Sequence, residues 1–169
     1  MLNIPYSRWM IRRDLAEVLD IEQLSFPFPW SEEDLIKAVR QQMGTVPKVL
    51  ELNDRVIGYC FYELSKNSLE IINLAIHPDF RRKGNATIFI NKIKEKLSPD
   101  RRNLIKCRVA DYNLEAQLFW CAMGFKAIKV EKNFYKQENV DAYLFTYNYT
   151  DSLQETMTPY CGENYESSI

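Results

Sequence analysis

Apolar and polar positions change period several times along the first 150 residues, and each change marks an element. A short strand is predicted around Trp9 to Arg12. Leu15, Val18 and Leu19 then recur at helical spacing, with Asp14 and Glu17 placed as a capping-box-like pair at the start. The run Phe26-Pro27-Phe28-Pro29-Trp30 stops that helix, because each proline lacks an amide donor and restricts the residue before it. Ser31 is a good N-cap, and Glu32, Glu33 and Asp34 suit the positive end of a second helix reaching about Met43.

From Lys48 the period becomes that of strands. Lys48 to Leu52 and Val56 to Leu64 flank Asn53-Asp54, a two-residue hairpin turn. Leu69 to Ile76 is apolar on both faces and reads as a central strand ended by His77-Pro78. A long helix follows from Asn85 to Leu97, burying Ala86, Phe89, Ile90 and Ile93. Leu104 to Val109 is the next strand. Asn113 caps a helix whose Ala116, Phe119, Trp120 and Met123 point inward and which Gly124 terminates. Strands near Lys126 to Lys132 and Ala142 to Tyr149 close the pattern. The order predicts a mixed α/β fold: one domain over residues 1–150, with a central sheet of about six or seven strands and about four flanking helices. Residues 151–169 are polar and aperiodic and read as a flexible tail.

Composition narrows the function classes. Among 169 residues 46% are hydrophobic and 27% charged, enough for a real core. A net charge of −1 gives no positive field for nucleic acid or acidic lipid, so neither partner is expected. No apolar run approaches a membrane span, and the first residues lack the apolar centre of a signal peptide. Cys60, Cys107, Cys121 and Cys161 are scattered, and His77 is the single histidine, so no metal site is expected and His77 reads as structural. The expectation is a soluble cytoplasmic protein with reduced thiols.

Only five glycines are present, so each marks a backbone position worth examining. Gly84 lies in the segment with the most chemistry, Ile76-His77-Pro78-Asp79-Phe80-Arg81-Arg82-Lys83-Gly84-Asn85-Ala86. It runs from a buried strand through a cationic loop into a helix N-terminus, an arrangement suited to a phosphate or pyrophosphate. A solvated basic turn would look similar.

Arg81-x-x-Gly84-x-Ala86 resembles the R/Q-x-x-G-x-G/A loop of the GCN5-related N-acetyltransferases (GNAT superfamily), and the element order agrees over residues 9–149. Phe28-Pro29-Trp30-Ser31, Asn113 with Ala116, Phe119 and Gly124-Phe125, and Asn133-Phe134-Tyr135 with Asp141-Ala142 resemble segments of RimI-type ribosomal-protein alanine N-acetyltransferases. The resemblance implies acetyl-CoA as cosubstrate. Leu74, Ala75 and Ile76 would hold its acetyl and pantetheine part, Arg82, Lys83, Gly84, Asn85, Ala86 and Thr87 its pyrophosphate, and Asn113 its pantetheine arm.

It further implies a protein N-terminus as acceptor, with a ribosomal protein as the partner class and Phe28 and Trp30 beside the acceptor. The usual glutamate base and tyrosine acid of such enzymes fall here on Arg108 and Trp120. Glu70, the only ionisable residue in Leu69 to Ile76, is the replacement candidate for the base, and alternation sets it on one face with Ile72, Leu74 and Ile76. Tyr135 is the candidate proton donor or substrate contact. A small amine or lysine acceptor, and a coenzyme A-binding module without catalysis, are the competing readings.

Overall fold

The computed structural model describes residues 4–40 and 44–150. Seven strands form one sheet: β1 (Tyr6–Trp9), β2 (Thr45–Leu52), β3 (Arg55–Leu64), β4 (Ser68–Ile76), β5 (Leu104–Ala110), β6 (Lys126–Tyr135) and β7 (Val140–Asn148), in the order β1-β2-β3-β4-β5-β7-β6. Four helices cover it: α1 (Leu15–Ser25), α2 (Glu32–Val39), α3 (Asn85–Lys94) and α4 (Leu114–Ala122). Every strand pair is antiparallel except β4–β5. The mixed α/β architecture is therefore as the sequence pattern predicts. Among the described residues no helix is long and apolar enough to cross a membrane, and no group of three or more His, Cys, Asp or Glu could hold a metal ion.

Each face of the sheet has its own core. Val18 and Ile21 of α1 and Leu35 and Ala38 of α2 pack on Val49, Tyr59, Phe61 and Ala75. On the other face, Phe89, Ile90 and Ile93 of α3 and Trp120 of α4 pack on Leu69, Ile71, Ile105 and Cys107. The turn Asn53-Asp54 carries φ of 53° and 59°, the left-handed pair that a tight hairpin requires.

Some boundaries differ from the pattern's prediction. β1 ends where the predicted strand began, because Arg12–Asp14 form a 3-10 turn. Asp14 accepts the Ile11 N–H at 2.8 Å and two bonds from the Arg8 guanidinium at 2.7 and 2.9 Å, so it does not cap α1. Glu17 accepts the Val56 N–H at 3.2 Å instead of completing a capping box. Ser31 caps α2 as expected, accepting from the Asp34 N–H, but that helix ends at Val39. The predicted end at Met43 and the predicted tail 151–169 lie outside the described residues. α3 stops at Lys94, and β6 runs on to Tyr135.

The decisive irregularity is in β4. Its register with β3 slips between Phe61↔Asn73 and Tyr62↔Ile71, leaving Ile72 as the extra residue of a bulge. Leu69 and Ile71 face the α3–α4 core before the bulge, and Leu74 and Ile76 face it afterwards. Immediately at that point β4 leaves β5: the parallel pairing covers Ser68↔Leu104 to Ile71↔Cys107 and goes no further. Gly58 permits the close approach of β3 to the departing strand. A Cβ built there would lie 2.5 Å from Ile76 Cδ1 and 2.9 Å from the Ala75 carbonyl oxygen. Gly58→Ala is expected to lower stability by about 1–3 kcal/mol through overpacking, measured by urea unfolding. An unchanged midpoint would show that β4 yields there freely.

Candidate functional site

Where β4 and β5 diverge, two cavities open with Phe26, Leu74, Asn113, Ala116 and Phe119 as a common wall. The first, about 310 Å³, is bounded by Leu74–Ile76, the N-terminus of α3 and α4. The second, about 470 Å³, is bounded by the aromatic-proline turn, Ile71–Leu74, Arg108 and Tyr135.

The loop into α3 is held open by its own sequence. Arg81 donates from Nε to the Ile76 carbonyl at 2.8 Å and from Nη2 to Ser25 Oγ at 2.8 Å, tying the end of α1 to the end of β4. Asn85, 6% exposed, donates to the Phe80 carbonyl at 2.8 Å. Arg82 and Gly84 take positive φ of 60° and 78°. Gly84 is the N-cap of α3 and brings no side-chain capping bond, so no side chain at the N-cap covers the first amides of the helix. Nothing lies within 4 Å of a Cβ built at Gly84. The loop is thus a concave, cationic surface that fits a pyrophosphate.

Most of the sequence candidates meet at these two cavities. Leu74, Ala75, Ile76, Arg82, Gly84, Asn85, Ala86 and Thr87 line the first, and Asn113 lines both. Lys83 does not line it; its ammonium donates to the Asp79 carbonyl at 2.8 Å. Asn113 Oδ1 accepts the Ala116 N–H at 3.1 Å, capping α4. Phe28, Trp30 and Tyr135 line the second cavity. Tyr135 hydroxyl donates to the Arg108 carbonyl at 3.4 Å, and burial pushes its pKa up to about 12, so it stays protonated. His77 Nδ1 accepts the Asp79 N–H at 3.3 Å, capping the turn that follows β4.

Glu70 is placed differently from the alternation argument. The bulge at Ile72 shifts the phase, so Glu70 lies on the face opposite Leu74 and Ile76. It borders neither cavity. Its carboxylate is bound by Arg108 Nη1, and Arg108 Nε donates to Glu131 at 2.6 Å on the other side. Arg108 itself lines the second cavity, as does Trp120.

Glu22 of α1 is a candidate site residue that the sequence pattern does not single out. It is 1% exposed and borders the second cavity. It accepts the Trp30 N–H at 2.8 Å, the Tyr59 hydroxyl, and Asn73 Nδ2 at 3.1 Å. One carboxylate therefore pins the aromatic-proline turn to β3 and β4. Burial raises its pKa above the ordinary carboxylate value. The available signal was an acid one turn after Val18, on the buried stripe of α1 where an apolar residue belongs. With Asp34 and Glu138 also on its wall, and Arg108 offset by Glu70 and Glu131, the second cavity favours a cationic guest.

Residues 15–125 match the sequence profile of the Acetyltransferase (GNAT) family. A Bacillus subtilis protein, provisionally named a ribosomal protein bS18-alanine N-acetyltransferase, is 26% identical over 139 residues, 81% of this chain and 91% of that one. The Escherichia coli ribosomal-protein-S18-alanine N-acetyltransferase structure has a TM-score of 0.74 at 20% identity, over 86% of this chain and 94% of that chain. Arabidopsis thaliana NAA60 bound to a bisubstrate analogue has a TM-score of 0.73 at 19% identity, over 86% of this chain and 98% of that chain.

The raised pKa of Glu22 carries a sign. Above the ordinary value of 4.5 the unfolded chain loses a proton that the folded chain retains, so stability falls as pH rises toward the folded value. Glu22→Gln is expected to remove that decline in denaturant titrations across mildly acidic pH. Parallel slopes for wild type and variant would contradict the buried-carboxylate reading.

Proposed function

Because the chain belongs to the acetyltransferase (GNAT) family, we propose that it moves an acetyl group from acetyl-CoA to the α-amine of a protein N-terminus. The proposed target is a ribosomal-protein alanine, and the place of action is the cytoplasm. The observation that supports this most is the parting of β4 and β5 after Ile71 and Cys107. It joins a cationic loop for a phosphate group to an acidic cavity for an amine.

In this reading Arg82, Gly84, Asn85, Ala86 and Thr87 hold the pyrophosphate, and Leu74, Ala75, Ile76 and Asn113 hold the pantetheine arm and acetyl group. Acetyl-CoA supplies the activated thioester. β4 amides on the side vacated by β5 have no strand partner and serve as fixed donors for the developing oxyanion. The amine nitrogen bonds to the acetyl carbon, the carbon–sulfur bond breaks, and the thiol leaves as an anion. Phe28 and Trp30 border the acceptor, and Tyr135, protonated at neutral pH, donates a hydrogen bond in its cavity.

The proton economy fits an α-amine. Such a group has a pKa of about 7.7–8.0, against roughly 10.4 for a lysine. A fair fraction is neutral at physiological pH, so orientation supplies much of the rate. Glu70 reaches the cavity only through Arg108, and its proposed role is to position that guanidinium. Water in the acidic cavity carries the proton away. The second reading, a coenzyme-binding module, is favoured by one observation: Arg108 and Trp120 stand where the resemblance expects a base and an acid.

Thiol release from acetyl-CoA, measured with peptides differing in the first residue, distinguishes these readings. Turnover is expected with Ala-initiated peptides. Turnover with a polyamine alone would overturn the acceptor, and binding without turnover would favour the module. Gly84→Val places a β-branched residue at a φ of 78°, a strain of about 1–2 kcal/mol. Acetyl-CoA affinity is expected to fall about tenfold, read by calorimetry; equal affinity would count against the loop.

A further inference from the structure

One strand away from the proposed active site, a third cavity of about 240 Å³ lies between α3 and the β1–β3 end of the sheet. Its floor breaks the pattern of the strands that form it. In β2, Val46 and Leu50 face the α3–α4 core, and Lys48 occupies the position between them. Across the sheet, Lys48 pairs with Trp9 of β1 and Cys60 of β3. Alternation demands an apolar residue there, so a lysine in this row requires an explanation.

Lys48 has no carboxylate partner among the described residues. Its ammonium lies 4.0 Å from the centre of the Trp9 ring. Partial burial and the nearby Lys96 both lower its pKa, which marks an uncompensated charge. Tyr62 is the second exception. It is 2% exposed and borders the cavity, yet its hydroxyl has no hydrogen-bond partner among the described residues. Among the described residues no fully buried side-chain polar atom lacks a partner, so this hydroxyl opens on the cavity and is not sealed in the core.

The remaining polar lining agrees. Ser7 contributes a hydroxyl, Lys92 approaches from α3, and Lys96 approaches from the turn that follows it. Glu95 is the one carboxylate on the wall and is paired with Lys92 at 3.0 Å. Three ammonium groups against one carboxylate leave two positive charges uncompensated. The helix dipole accounts for lysines near the end of α3, but it does not account for Lys48 on a strand or for the Tyr62 hydroxyl. Phe89 and Ile93 supply an apolar side.

We propose that this cavity binds a small dianion, of phosphate or dicarboxylate type, between the Lys48 and Lys96 ammonium groups with the Tyr62 and Ser7 hydroxyls as donors. Bound there, the anion would bridge α3 to the β1–β2 edge. The site is independent of the acetyl-transfer reading, since Lys48 and Tyr62 border neither cavity at the β4–β5 opening.

The test is an NMR titration of the full chain with inorganic phosphate and, separately, succinate, at constant ionic strength set by chloride. The amides of Ser7, Lys48 and Tyr62 report on this site apart from the α3 loop. Saturable shifts of these amides with either dianion are expected, and the arm that saturates identifies phosphate-type or carboxylate-type recognition. Lys48→Met keeps side-chain length and apolar packing and is expected to weaken binding at least tenfold. Tyr62→Phe is expected to weaken it several-fold. Neither variant should change acetyl-CoA affinity. Linear shifts in the wild type, or equal affinities in wild type and both variants, would overturn the proposal.

Discussion

A parallel strand pair that stops pairing halfway exposes backbone donors in the middle of a protein, and the rest of this structure is organised around that opening. β4 and β5 are joined from Ser68 to Ile71 and separate after it. The bulge at Ile72 sits at the same point and reverses which side chains face each core. Unpaired amides inside a fold are tolerated only where something else satisfies them. The elements around the gap are arranged to admit that partner: the α3 loop on one side, the aromatic-proline turn on the other, and Asn113 with α4 closing the top.

Charge follows the same division. The loop side carries Arg82 and the free end of α3, which suit phosphate. The other side carries Glu22, Asp34 and Glu138, which suit an ammonium. Arg108 would disturb that field, and it is enclosed by Glu70 and Glu131. Glu22 has a further task. It holds Trp30 of the turn to Tyr59 and Asn73 of the sheet, so the aromatic-proline wall and the β4 floor are fixed to each other by one carboxylate.

Much of this was legible along the chain. The element order, the hairpin at Asn53-Asp54, the Ser31 cap and the residues of the α3 loop follow from periodicity and local chemistry, which depend on near neighbours. Three features were not legible. The phase of β4 depends on a bulge, and period-two alternation cannot register an inserted residue, so alternation puts Glu70 on the face opposite the one it occupies. The limit of β1 depends on Arg8 capturing Asp14, and the depth of Glu22 depends on partners at positions 30, 59 and 73. Contacts between residues distant in sequence decide all three.

In the proposed mechanism the gap between β4 and β5 receives the cofactor against the β4 backbone. Amide hydrogen exchange of Leu74, Ala75 and Ile76, measured with and without acetyl-CoA, tests it most directly. Exchange in this segment is expected to slow on binding while β6 and β7 are unchanged. Protection confined to the α3 loop, with no change at Leu74 to Ile76, would contradict it.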